Sequence, residues 1–130
     1  MKQRQHSRGE TSIQSVLLIP VVFSLYFLCA HVTAIFHAAQ VAQLAAEQGA
    51  QLASTAGTFT TDIAPALNRI ESVVSDLGSQ LASAPQIEES LFAVKTTVSV
   101  RVPGIVPFLP TSVSRSTHVP RERFLMEQER

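Results

Sequence analysis

One stretch of the chain, residues 11–46, contains no Lys, Arg, Asp or Glu, and it constrains the fold more than any other feature of the sequence. Within it, the segment from Ser15 to Phe36 is almost entirely apolar. A helix needs roughly 20 apolar residues to cross a hydrocarbon core about 30 Å thick. The sequence therefore predicts a transmembrane helix close to the N-terminus, with membrane lipid as its surroundings.

Basic residues on one side of this stretch predict its orientation. Lys2, Arg4 and Arg8 precede it, and the next basic residue along the chain is Arg69. Because Lys and Arg close to a span are retained in the cytoplasm, we expect a cytoplasmic N-terminus and an extracytoplasmic C-terminal part. The chain after Gly9 carries seven basic and ten acidic side chains, which argues against a nucleic-acid partner.

The apolar stretch is interpreted as an anchor, with a cleaved signal peptide as the alternative. A signal peptide has an apolar core of roughly 7–15 residues followed by a small-residue cleavage site. Val32-Thr33-Ala34 resembles such a site, but the sequence beyond it continues to favour helix without a break. The single cysteine, Cys29, lies inside the stretch, so the sequence predicts no internal disulfide.

The apolar stretch belongs to a longer predicted helix, from Glu10 to about Ala56, with Gly57 as its stop. At 1.5 Å per residue this helix is about 70 Å long, roughly twice the thickness of the hydrocarbon core. Its second half must therefore protrude from the membrane. Pro20 lies within the apolar half, where proline tends to kink a helix.

Small residues recur every four positions in the protruding half, and residues four apart share a helix face. Such rows let another helix approach closely, which predicts a helix-packing surface for assembly. The alternative is that alanine is abundant here because it favours helix. The rows are Ala38-Ala42-Ala46-Ala50 and Ala45-Gly49-Ala53-Gly57, and the predicted packing residues are Ala42, Ala45, Ala46, Gly49 and Ala53.

The remaining sequence predicts a small outer part. Apolar residues at helical spacing predict a second, amphipathic helix from Asp62 to Ala82. Alternation with β-branched residues predicts strands over Leu91–Val102 and Thr111–Val119, paired as an antiparallel hairpin. The predicted fold is mainly α with a small α+β outer part, divided into a basic leader (1–9), a long helix (10–57) and an extracytoplasmic domain (58–130).

No constellation of residues points to catalysis or to a metal. The spacing of six between the two helical histidines places them on different helix faces, so they do not form a metal site. We therefore predict that the chain is not an enzyme and has no cofactor, metal or small-molecule substrate. For His31 we expect a neutral imidazole bonded to a neighbouring helix. The histidines are His6, His31, His37 and His118.

The N-terminal region combines several motifs at a fixed spacing. The basic leader ends in Arg8-Gly9, the segment from Glu10 to Ser15 follows, and Gln14 precedes Pro20 by six residues. Further along, residues 45–53 (AAEQGAQLA) have the form AA-x-x-GA-x-x-A. In these motifs the chain resembles, over about residues 8–57, the TadE/TadG-like minor pseudopilins of the tight-adherence (Flp-type) pilus system, in which a glutamate precedes the proline by six residues.

The resemblance implies a structural subunit in the bacterial inner or plasma membrane, which takes part in assembly of a tight-adherence pilus or a related secretion apparatus. A prepilin peptidase would cut after Gly9 and make Glu10 the new N-terminus. Gln14 and Pro20 would serve signal recognition and helix shape. The implied partners are other pilin-like subunits and the pilus assembly platform.

Two residues depart from the family pattern and leave an alternative open: Gln14, and Ser15 in place of an aromatic residue. The family usually has a glutamate at the position of Gln14, and glutamine cannot neutralise a charge as a carboxylate can. An uncleaved, anchored accessory subunit is therefore the alternative within this interpretation. A rival function is an anchored extracytoplasmic binding module without a pilus role, which would use the loop from Val106 to Pro110.

Overall fold

The computed structural model describes residues 7–59, 62–90 and 92–120, and in the first helix it describes side chains from Ile13 to Thr55. The predicted fold class is confirmed, since a long apolar helix is followed by a shorter helix and a small antiparallel sheet. The elements are α1 (Ser7–Phe59), α2 (Ala64–Asp76), β1 (Gln86–Glu89), β2 (Ala93–Arg101) and β3 (Ser112–Pro120).

Helix α1 has 53 residues, which corresponds to about 80 Å, and it continues through the predicted stop at Gly57. Its two halves have different surroundings. The first half, from Ile13 to Cys29, is exposed along its whole circumference, whereas the second half buries one face from Ala38 to Ala53. One helix therefore provides both an isolated apolar rod and a wall of the domain core.

Helix α2 ends at Asp76, six residues before the predicted end. Gly78 has φ +68°, the left-handed conformation that glycine adopts readily. The N–H groups of Gly78 and Ser79 donate to the carbonyls of Ser75 and Val74 at 2.9 and 3.0 Å, which is the Schellman arrangement that ends many helices. Leu81 fits the helical spacing of the sequence, but it pairs with Val100 as an isolated β-bridge instead.

The sheet has three strands in the order β1-β2-β3, each antiparallel to its neighbour. The predicted hairpin is present as β2 and β3. Strand β1 was not predicted, because its sequence QIEE offers only one apolar residue for an alternation. It pairs with the edge of β2, where Glu88 lies opposite Lys95 and the two side chains form an ion pair at 3.1 Å. Both groups are well exposed, so this pair contributes little to stability.

The core lies between the two helices and one face of the sheet. Alternate residues of β2 are buried, as the alternation in the sequence predicted: Val94, Thr96, Val98, Val100 and, just beyond the strand, Val102. Phe92 continues the same alternation toward the N-terminus, but it lies before the strand and is 65% exposed. The opposite face of β2 carries Lys95, Thr97, Ser99 and Arg101.

Strand β2 runs antiparallel to α1. Val94 packs with Ala53 and Ala66 in one cluster, and Thr96 lies level with Gly49. Farther along β2, Val100 and Val102 belong to the cluster against which Ala34 and Ile35 pack. The end of β2 therefore lies beside the part of α1 that adjoins the exposed apolar half.

Gly49 sets the distance between α1 and α2. A Cβ atom at this position would lie 2.5 Å from both Cδ1 and Cγ1 of Ile70, which is fully buried. Ile70 therefore sits directly on the backbone of α1, and only glycine leaves room for it.

We predict that Gly49→Ala destabilises the outer domain by about 1–2 kcal/mol, although alanine favours helix by up to about 1 kcal/mol. Hydrogen exchange of the β2 amides in the detergent-solubilised full chain measures this change. Ile70→Ala removes both clashing atoms, so the double variant should lose clearly less stability than the two single variants added together. If the stability losses of the two single variants simply add in the double variant, the contact between Gly49 and Ile70 is contradicted.

Candidate functional site

The exposed apolar half of α1 is the most distinctive surface of the protein. Every large apolar side chain from Ile13 to Leu28 is between 44% and 69% exposed. Soluble monomers rarely expose contiguous apolar surface of this size. The described residues contain one helix that is long and apolar enough to cross a membrane, so the chain is compatible with a single-pass membrane protein.

The polar side chains near this surface are bonded back to the helix itself. Ser24 Oγ donates to the Pro20 carbonyl at 2.7 Å, and Thr33 Oγ1 donates to the Cys29 carbonyl at 2.9 Å. Such bonds are what hydrocarbon surroundings require, because lipid offers no partner to an unpaired polar group. Helix α1 continues through Pro20, which membrane helices tolerate. The two hydroxyl groups are therefore compatible with burial in lipid.

The residues expected to act in leader processing lie at the start of α1. The backbone of Gly9 and Glu10 is helical, and their side chains fall outside those that the structure describes. Gln14 and Pro20 are both exposed on the apolar half. Each of these two residues is therefore accessible to a second protein or to lipid.

The small-residue rows have a different partner from the expected one. The five predicted packing residues are buried in the interior of the subunit, against α2 and the sheet of the same chain. A close helix contact does form there, because Ile70 of α2 packs on Gly49. The surface that was expected to meet sister subunits is thus already filled within one subunit. The residues are Ala42, Ala45, Ala46, Gly49 and Ala53.

His31 lies where the exposed half of α1 meets the domain, and its side chain is fully buried. Neither ring nitrogen has a hydrogen-bond partner among the described residues. The sequence suggested a histidine inside the bilayer, but the structure places it in the domain interior. Residues 80–82 pair with the end of β2 that lies toward this end of the domain, and the β2–β3 loop follows that end.

The outer face of the second half of α1 forms an open groove beside β3. Phe36 and Leu44 are exposed along it, and Arg115 of β3 lines its other side. Gln43 Nε2 donates to Glu47 Oε1 at 2.6 Å and to Thr117 Oγ1 at 3.3 Å, which ties the helix to the strand. The groove is open, and its polar lining consists of Gln40, Gln43, Glu47 and Arg115.

Other chemistry-bearing groups are scattered. His37 and His118 are exposed on different elements, and His6 lies outside the described residues. Within the described part of the chain, no three His, Cys, Asp or Glu side chains are grouped so that they could hold a metal ion.

Searches against protein-family models, curated proteins and solved structures found no match.

The loop between β2 and β3 has a conformation and a position that were not predicted from the sequence. Phe108 is fully exposed and has φ +71°, a conformation that is rare for a bulky side chain. The sequence VPFLP indicates this conformation, because its two prolines hold an aromatic residue in a tight turn. Its position at one end of the domain required the strand direction, which the sequence alone does not specify.

The environment of His31 leads to a stability prediction. A buried imidazole without a partner is less stable there than an apolar side chain of similar volume. We expect His31→Leu to stabilise the outer domain by about 1–2 kcal/mol, and the exposed His37→Leu to change stability by less than about 0.5 kcal/mol. Hydrogen exchange of the core amides measures both. Destabilisation by His31→Leu would show that the imidazole is held by a bond outside the described residues.

Proposed function

We propose that the chain is a membrane-anchored, non-catalytic pilin-like subunit, a TadE-like pseudopilin that takes part in assembly of a bacterial tight-adherence pilus or related secretion apparatus. The observation that carries the proposal is the uninterrupted helix α1, which is bare and apolar in its first half and packed into a small domain in its second. The resemblance of the leader and of residues 45–53 to that family supports it. The subunit would sit in the inner or plasma membrane with its N-terminus in the cytoplasm.

The position of His31 supports an anchor over a cleaved signal. A cut after Ala34 would remove His31, whose side chain is fully buried, and Ala34, which packs against the core cluster. Removing a buried side chain of this size leaves a cavity that costs several kcal/mol in typical cores. Signal peptides are discarded without such loss, so the contact between the helix and its domain favours retention.

Contacts with sister subunits would use the surfaces that folding leaves open. The small-residue rows are occupied, so the described surfaces that α1 itself leaves open are its exposed apolar half and the outer face around Phe36, Gln40 and Leu44. Cutting after Gly9 would remove Lys2, Arg4 and Arg8, the charges that hold the end of the helix in cytoplasmic water. The shortened helix could then move laterally into a bundle.

The rival function, an anchored module that binds an extracytoplasmic ligand, is favoured by the fully exposed Phe108 in the β2–β3 loop. The direction of β2 argues against it. This loop follows the end of β2 that lies nearest the exposed half of α1, so it faces the membrane and not the exterior. A ligand in solution would reach this end of the domain least easily.

The mature N-terminus tests the proposal. When the full chain is expressed with a C-terminal tag in a bacterium that has this pilus system, we expect mass spectrometry to show a polypeptide starting at Glu10. Gly9→Val should block the cut, and Ser7→Ala should leave it unchanged. A start at Met1 would support a simple anchor, and a start near Ile35 would mean secretion and rule out the anchor.

Crosslinking tests which face of α1 meets other subunits. In a Cys29→Ser background, a cysteine at Gln40 on the outer face of α1 should crosslink to a second copy or to another pilin-like subunit in native membranes. A cysteine at Ser116, exposed on the outer face of the sheet, is the matched control and should give at least about tenfold less product. Equal yields, or none from either position, would argue against this assembly surface.

A further inference from the structure

The loop between β2 and β3 exposes apolar side chains without a partner. Residues 103–110 (PGIVPFLP) contain no charged side chain, Phe108 is fully exposed and Ile105 is partly so. A contiguous exposed apolar surface is typical of a site that contacts another protein or a membrane. The position of the loop in the domain indicates what covers these side chains.

The loop lies at the end of the domain that adjoins the apolar half of α1. Thr96 is level with Gly49, and the six residues from Thr96 to Val102 advance about 20 Å, or about 13 residues of helix. Val102 is therefore level with about residue 36 of α1, and the loop extends beyond it toward residues 26–31. A span that starts at Ile13 and needs roughly 20 residues ends at about Val32. The loop tip and the edge of the hydrocarbon core thus lie at the same level.

The conformation of Phe108 is an independent sign that this side chain has a role. Pro107 followed by a residue with positive φ is the pattern of a type II turn, in which glycine is the favoured residue. A phenylalanine there is strained and gains nothing from packing, because its ring is fully exposed. A turn selected only for stability and solubility would carry glycine or asparagine at this position.

We infer that the β2–β3 loop inserts Phe108 and Ile105 into the outer surface of the same bilayer that α1 spans, as a second point of attachment for the domain. Aromatic side chains are favoured at the level of lipid headgroups, where apolar and wet surroundings meet. The loop itself carries no charged side chain, so the insertion is driven by apolar contact and needs no anionic lipid.

Tryptophan fluorescence tests this inference, since the chain contains no native tryptophan. Phe108→Trp, Phe92→Trp and Phe23→Trp are prepared as full chains in phosphatidylcholine vesicles, with and without doxyl-labelled lipid. Phe92 is the matched control, because it is an exposed phenylalanine next to the far end of β2. Phe23 lies in the middle of the apolar half of α1 and reports whether that half spans the bilayer.

We expect the fluorescence of the Phe108→Trp variant to be blue-shifted and to be quenched by lipid labelled near the headgroup. Its quenching by iodide should be at least about threefold weaker than that of Phe92→Trp, because the headgroup region shields the indole from water. Iodide quenching equal to that of Phe92→Trp would overturn the inference. Protection from iodide without quenching by doxyl-labelled lipid would overturn it too, because a second copy would then cover the loop.

The inference rests on the proposed membrane span. The Phe23→Trp variant distinguishes failure of the loop inference from failure of the proposed span. If Phe23→Trp is quenched by deeply labelled lipid while Phe108→Trp stays in water, the loop inference fails and the anchor stands. If Phe23→Trp is not quenched by lipid, α1 does not span the bilayer and both proposals fail.

Discussion

The fold depends on how closely the backbone of α1 can be approached. Ile70 sits where a Cβ of residue 49 would be, and buried alanines continue the same flat surface along the helix on either side. A helix lined with leucine would hold α2 and the sheet several ångströms farther away. Because the outer part has fewer than 80 residues, it has few large apolar side chains to fill such a space. A short domain gains a dense core here because it packs on a helix face that is lined with glycine and alanine.

This constraint also explains why the small-residue rows were assigned to assembly from the sequence. A row of alanine and glycine shows that something approaches the helix closely, but it does not show whether that partner belongs to the same chain. The sequences of α2 and β2 contain the deciding information. The apolar stripe of α2 and the alternate valines of β2 together offer enough apolar surface to cover the small-residue rows, and apolar surface is stabilised by any partner that removes it from water. The chain contains its own partner for that surface.

The parts of the fold that the sequence predicted correctly were those with a strong period. The helical run of α1, the apolar stripe of α2 and the alternation of β2 each repeat over enough residues to identify the element and its buried face. The end of α2 was wrong because Leu77 and Leu81 continue the helical spacing, while Gly78 stops the helix through its left-handed backbone. Strand β1 was missed because an edge strand with one apolar residue has no period of its own and forms by hydrogen bonding to β2. The position of the β2–β3 loop could not be predicted, since it depends on the direction of β2 relative to α1.

In the proposed arrangement, one continuous helix would couple the membrane to the domain. The apolar half of α1 would fix its depth in lipid, and the buried half fixes the domain relative to the helix, so these two together would set the height of the β2–β3 loop above the membrane. An axial movement of one helical turn, about 5.4 Å, would carry Phe108 through most of the headgroup region. If the proposed filament lifts α1 out of the bilayer, it must remove the loop from lipid as well. The exposed apolar tip would then be free in the extracytoplasmic space, where the nearest available cover for it would be a neighbouring subunit. In such an arrangement the loop would oppose extraction of an isolated subunit and favour a subunit that leaves the membrane together with its neighbours.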